Sequence, residues 1–241
     1  MSALQPVQFS SLPRDGVAVV FGASGGVGAA LVENLRAGDG FSHVMALSRR
    51  SEPAFDLTDE ASLARAVADV AGRGELRLVI DATGFLHDET QGPEKSLRDL
   101  DAGKLARAFA LNAIGPALLM KHVLPALAPT GKTVFATLSA RVGSIGDNHL
   151  GGWYGYRASK AALNQFVRTA AIELNRRRPS AICVALHPGT VRTQLSDPFG
   201  KDGLEVQTPQ TSAARLLGVI DGLSADQSGS FFDHLGSPIP W

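Results

Sequence analysis

A chain of 241 residues, 44% of them hydrophobic and 26 of them glycine, can bury one sizeable core and still make many tight turns. Its 23 basic and 23 acidic residues give a formal net charge of +0, which provides no electrostatic footprint for nucleic acid or an anionic membrane. The single cysteine, Cys183, excludes an internal disulfide and a cysteine-based zinc site, and it packs as a small hydrophobe in an apolar run. No basic segment leads into an apolar core at the N-terminus, and no apolar stretch looks long enough to span a bilayer. The expectation is a cytoplasmic protein with neither a membrane nor a nucleic-acid partner.

The first strand is the apolar run 17–21, which enters the turn Gly22-Ala23-Ser24-Gly25-Gly26-Val27-Gly28. Ala29, Leu31, Val32 and Leu35 then recur at helical spacing. Gly22, Gly26 and Gly28 let backbone approach a diphosphate, with the first helix amides pointing at it. The spacing is Gly-x-x-x-Gly-x-Gly, and loops of this kind also close helices or hold other nucleotides. A second strand, 43–47, ends in Ser48-Arg49-Arg50. A hydroxyl and two guanidinium groups one turn from a dinucleotide loop suit the 2′-phosphate that distinguishes NADP from NAD. A solvated basic turn is the alternative.

Residues 54–57 read as a brief strand, and Thr58 or Asp59 caps a helix through Leu63, Ala66, Val67 and Val70. Residues 76–81 form the next strand, ending in a turn at Gly84. Helical patterning runs from about Leu97 to Leu127 with a break at Asn112-Ala113-Ile114-Gly115-Pro116. Pro116 frees a carbonyl and invites a kink. Asn112 is either a polar group inserted at that irregularity or a surface asparagine.

A strand at 133–138 leads through Ser139-Ala140-Arg141-Val142-Gly143-Ser144 and a glycine-rich segment to a long helix over 156–178. The strand around Cys183 ends at His187-Pro188-Gly189-Thr190-Val191-Arg192-Thr193. Residues 194–211 have the composition of a mobile surface loop, 212–223 of a helix, and 230–232 of a last strand. Strands and helices alternate without a linker or repeat. The expected architecture is a single α/β domain over 1–241, with a mainly parallel sheet covered on both faces. Ligands bind beyond the carboxyl ends of such strands.

Tyr156-Arg157-Ala158-Ser159-Lys160 puts a tyrosine and a lysine on one helix face. A neighbouring ammonium favours the phenolate, which lowers the tyrosine pKa and makes it usable as a general acid or base. The alternative is an ordinary amphipathic pair at a helix start. Tyr154 has only Ala158 at the equivalent place. No histidine stands at metal-like spacing from another ligand, so no metal is expected.

In order and separation, Gly22-x-x-x-Gly26-x-Gly28, Asn112, Tyr156-x-x-x-Lys160 and Pro188-Gly189 resemble the short-chain dehydrogenase/reductase family, over about residues 17–193. Gly143-Ser144-Ile145-Gly146-Asp147-Asn148 and Ile239-Pro240-Trp241 are most similar to its C-factor and sniffer-like carbonyl reductase branch. The resemblance implies a Rossmann-type doubly wound fold and an NADP(H)-dependent oxidoreductase of a small carbonyl or alcohol, with NAD(H) the less favoured coenzyme. Tyr156 would protonate the carbonyl oxygen while hydride reaches its carbon. Lys160 would lower the tyrosine pKa and hold the nicotinamide ribose. Asn112 would bind a water at the helix irregularity and pass protons to Lys160.

The implied cofactor contacts are Gly22, Ser24, Gly25, Gly26, Val27 and Gly28 at the diphosphate, and Ser48, Arg49 and Arg50 at the 2′-phosphate. Asp56 and Leu57 would border the adenine, Ala82, Thr83 and Gly84 the adenosine side, and Pro188, Gly189, Val191 and Thr193 the nicotinamide. The family's Asn-Asn-Ala-Gly turn is Asp81-Ala82-Thr83-Gly84 here. Its substrate-orienting serine falls at Ala140, so Ser139 is expected to take over, with Ser144 a second candidate. The resemblance also implies a homodimer or homotetramer through the helices holding Tyr156 and Asn112. A different reading, an NADP-binding signalling or scaffold protein with weakened catalysis, rests on Ala140.

Overall fold

Six of the short apolar runs lie side by side in one parallel sheet. The computed structural model describes residues 6–196, 203 and 205–241. Its strands are β1 (Gly16–Phe21), β2 (Phe41–Leu47), β3 (Leu76–Asp81), β4 (Thr133–Leu138), β5 (Ala181–His187), the short β6 (Thr190–Val191) and β7 (Val206–Gln207), and β8 (Phe231–Asp233). The large sheet has the order β2-β1-β3-β4-β5-β8, and every neighbouring pair is parallel. The chain therefore reverses its direction of travel between β1 and β3, which opens a crevice at the carboxyl ends of those strands.

Every residue of β1, β3 and β4 is buried, because both sheet faces are covered. Alternate residues Val17, Val19 and Phe21, with Val79, Phe135 and Cys183, meet α2 (Glu60–Ala71), α4 (Gly115–Ala126) and α5 (Tyr154–Arg177) through Leu63, Val123 and Leu163. Ala18, Val20, Ile80, Ala136 and Val184 face the other way, onto Leu31 of α1 (Gly26–Ala37) and Leu216 of α6 (Pro209–Gly222). Continuous apolar runs are what a strand buried on both sides requires.

Several elements differ from the sequence expectation. Residues 54–57 form no strand: the Asp56 N–H goes to Ser62 Oγ, and Phe55 instead sets its ring edge-on to Phe21 at 5.2 Å. Asp59, not Thr58, caps α2 by accepting the Ala61 N–H at 3.0 Å. The long helical stretch divides into a 3-10 turn (Leu97–Asp99), α3 (Ala102–Phe109), a π-helical turn (Ala110–Ile114) and α4. Residues 102–126 are continuous and, by length and composition, apolar enough to cross a membrane, which corrects the expectation of no such stretch. Their apolar face holds Leu119, Met120 and Val123 in the core. Of the loop expected at 194–211, residues 197–202 and 204 lie outside the described residues. The remainder contains β7, paired with β6, and the capped start of α6.

Candidate active site

The carboxyl end of β1 turns at Gly22, whose φ of +83° is a left-handed backbone open to glycine. A Cβ on Gly28 would lie 2.2 Å from the Gly22 carbonyl oxygen, and one on Gly26 would lie 2.8 Å from Thr193 Cγ2. The turn thus has room for backbone alone at these positions. Gly25 gives α1 no side-chain cap, and its first turn contains no acidic residue. The helix keeps unpaired N–H groups and positive potential at its N-terminus, as a diphosphate needs. Ser24, Gly25 and Gly26 are exposed on this turn, with Val27 partly covered. The glycine cradle fits the dinucleotide expectation.

The turn after β2 lies beside it, since the Gly22 and Ala23 N–H groups both donate to the Leu47 carbonyl at 2.9 and 3.0 Å. Ser48 Oγ accepts the Arg50 N–H at 3.1 Å, and Arg49 and Arg50 are exposed. Neither arginine forms an ion pair within 4.0 Å among the described residues. Asp56 is held below the ordinary carboxylate range, first by hydrogen bonds from Thr58 and then by the charge of Arg49. Leu57 is buried, and a Cβ on Gly115 would meet it at 2.7 Å.

After β3, Ala82 donates its N–H to Phe21, and Thr83 donates its N–H and hydroxyl to Asp81 Oδ1 at 3.0 and 2.5 Å. Thr137 donates to the other oxygen, Oδ2, at 2.7 Å. Asp81 is fully buried and raises the pKa of Lys160. Its charge acts on Lys160 without forming an ion pair among the described residues, an influence that position 81 does not reveal in the sequence. Gly84 completes the rim, because a Cβ there would stand 3.8 Å from Lys160 Nζ and 4.0 Å from Asn112 Oδ1.

Asn112 sits in the π-helical turn with no exposed surface, so the surface-asparagine alternative is removed. Its Oδ1 accepts the Phe85 N–H at 2.7 Å. Its Nδ2 donates to the Phe85 carbonyl at 2.8 Å and to Ser159 Oγ at 3.2 Å. Ser159 in turn donates to the Tyr156 carbonyl at 2.9 Å. The side chain therefore ties the turn after β3 to the start of α5, a link that spacing alone does not reveal. Pro116 lacks an N–H, so the regular helical bond back to the Asn112 carbonyl cannot form.

Lys160 is 2% exposed and donates from Nζ to the Leu138 carbonyl at 2.8 Å. Burial pushes its pKa down to about 8, opposed in part by Asp81. Tyr156, partly accessible at the mouth of α5, is pushed up to about 12 by burial. The direction is thus opposite to the depression expected from the lysine neighbour, and desolvation is its cause.

Ser139 is 3% exposed and donates to Asn164 Oδ1 at 2.7 Å. Its hydroxyl proton is thereby committed to Asn164, while the neighbouring Ala140, partly exposed, offers no hydroxyl. Ser144 is 1% exposed and accepts the Asp147 N–H. Pro188 is held through its carbonyl by Gln207 Nε2 at 2.7 Å and Ser212 Oγ at 2.8 Å. Gly189 has φ +78°, Val191 is buried, and Thr193 closes against Gly26. The glycine turn and the segment 188–193 consequently face one crevice.

The family model described as enoyl-(acyl carrier protein) reductase matches residues 15–220. C-signal of Myxococcus xanthus is 39% identical over 148 residues, covering 61% of this chain and 84% of that protein. The 1-hydroxy-2-glutathionyl-2-methyl-3-butene dehydrogenase of Rhodococcus sp. (strain AD45) is 32% identical over 191 residues, covering 79% and 80%. The crystal structure of NADPH-bound carbonyl reductase from chicken fatty liver aligns with a TM-score of 0.83 at 26% identity, covering 95% of each chain. The chain belongs to the short-chain dehydrogenase/reductase family, among its carbonyl reductase-like enzymes.

Proposed function

We propose that this chain binds NADP(H) and reduces a small carbonyl compound, or oxidises the corresponding alcohol, with Tyr156 as the general acid or base. The observation that carries this reading is Lys160. A lysine 2% exposed and without a carboxylate within 4.0 Å among the described residues is costly to bury, and such groups concentrate at functional sites. When bound, the nicotinamide supplies the hydride that the carbonyl carbon receives.

In reduction, Tyr156 donates its phenolic proton to the carbonyl oxygen, and its raised pKa keeps that proton in place until the oxygen becomes basic. The Lys160 ammonium stabilises the phenolate left behind and offers N–H donors to the nicotinamide ribose. The backbone carbonyl of Asn112 accepts a water that returns protons to Lys160. The glycine turn and α1 amides hold the diphosphate, and Arg49, Arg50 and Ser48 hold the 2′-phosphate. Pro188, Gly189, Val191 and Thr193 border the nicotinamide. Asp56, Leu57, Ala82, Thr83 and Gly84 line the adenosine side.

Cytoplasmic residence and a homodimer or homotetramer complete the reading. Ile114 and Phe166, 50% and 42% exposed, support burial of the helix faces beside Asn112 and Tyr156 in such an assembly. A second reading, an NADP-binding signalling or scaffold protein, is favoured by the absence of a serine hydroxyl at Ala140. NADPH consumption with a panel of aldehydes, ketones and quinones separates the two. Steady turnover lost in Lys160→Ala supports the reductase, and NADPH binding with no turnover of any compound supports the scaffold.

A further inference from the structure

Helix α5 begins without help from its own cap. Trp153 at the N-cap is left-handed, φ 52° and ψ 42°, and gives no side-chain hydrogen bond to the helix amides. Gly151 and Gly152 before it also have positive φ, 64° and 65°. For the tryptophan this conformation is strained and must be held from outside.

What holds it is Glu94, from a segment 61 residues upstream of Gly155. Glu94 is 5% exposed. Its backbone carbonyl accepts the Trp153 N–H at 2.5 Å, and its Oε2 accepts the Gly155 N–H at 2.9 Å. Position 155 has no room for a side chain, since a Cβ there would lie 2.9 Å from Glu94 Oε1 and 3.1 Å from Leu105 Cδ2. No cation lies within 4.0 Å of this carboxylate among the described residues, so the amides and dipole at the start of α5 balance its charge. Glu94 thus caps the helix in place of Trp153. The turn it fixes sets the Trp153 ring edge-on to Tyr156, with centroids 6.2 Å apart.

We propose that Glu94 is a positioning residue for the Tyr156 acid, gripping both ends of the Trp153 turn so that the phenol meets its substrate in register. This rests on the carbonyl reductase reading above. The test compares Glu94→Ala and Glu94→Gln with the unaltered protein for kcat, KM of the carbonyl substrate and NADPH affinity, each corrected for folded fraction by circular dichroism. Glu94→Ala should lower kcat about 10- to 100-fold with NADPH affinity within about twofold, the loss that a small misplacement of a reacting group produces. Glu94→Gln keeps an acceptor oxygen for the Gly155 N–H and should keep kcat within about threefold. Unchanged kcat in Glu94→Ala, a loss matched by unfolding, or glutamine no better than alanine overturns the proposal. Absence of turnover by the unaltered protein removes the reductase reading instead. Amide hydrogen exchange then decides the cap: faster exchange in Glu94→Ala confined to residues 153–157 supports it, and unchanged exchange overturns it.

Discussion

Ser139 gives its hydroxyl proton to Oδ1 of Asn164 at 2.7 Å, one helical turn beyond Lys160. Ala140, extended at φ −141° and ψ 144°, is the partly exposed neighbour. The proton of the Ser139 hydroxyl is therefore committed to Asn164. Ser139→Ala should lower kcat/KM by less than about threefold and destabilise the fold by about 1 kcal/mol. Ala140→Ser should raise kcat about tenfold or more, because it places a donor beside the developing oxyanion. Steady-state kinetics on the two variants decides. A hundredfold loss in Ser139→Ala would restore Ser139 as the substrate donor.

Lys160 sets the pH dependence. Burial lowers its pKa from 10.5 to about 8, so its ammonium is present below that pH and is lost as pH rises through it. Tyr156, at about 12, stays protonated across the same range. Reduction, which needs both protons, should keep a level kcat/KM below about pH 8 and lose it above. Lys160→Arg, which stays charged, should lose this limb whatever its absolute rate. A limb that persists in the arginine variant assigns it to another group.

The glycine turn makes a steric prediction. A methyl on Gly28 would be driven against the Gly22 carbonyl oxygen at 2.2 Å, whereas one on Gly218 of α6 meets nothing within 4 Å. Gly28→Ala should cost about 1–3 kcal/mol and weaken NADPH binding. Gly218→Ala should be stabilising by about 0.5–1 kcal/mol with binding unchanged. Thermal melts with and without NADPH distinguish the two outcomes.

Arg49 is exposed at the end of β2, next to the turn that Gly22 and Ala23 hydrogen-bond. Arg49→Ala should raise the Michaelis constant for NADPH about tenfold or more, while that for NADH changes little. Equal effects on both coenzymes would remove the 2′-phosphate from this arginine.

Much of the fold is legible because β1, β3, β4 and β5 are mostly apolar runs, broken in β3 by Arg77 and Asp81 and in β4 by Thr133 and Thr137, as strands covered on both faces tend to be. Residues 54–57 carry a strand-like pattern but form no strand, because a strand needs a partner ladder and Phe55 packs on Phe21 instead. The Tyr156–Lys160 pair was readable from helical spacing. Contacts between distant segments were not: Asp81 with Lys160, Asn112 with Ser159, Ser139 with Asn164 and Glu94 with Gly155 are set by tertiary packing. A buried aspartate ending an apolar strand was the one local signal that pointed to Asp81.

In the proposed reaction Tyr156 protonates the carbonyl oxygen from within an otherwise intact coenzyme site. Single-turnover reduction of an accepted carbonyl compound by the NADPH complex of Tyr156→Phe tests it most directly. Removing the hydroxyl deletes the proton donor and leaves the glycine turn and Lys160 in place. NADPH affinity should stay within about twofold and the single-turnover rate should fall by about 10²-fold or more. Unchanged hydride transfer in that variant would contradict it.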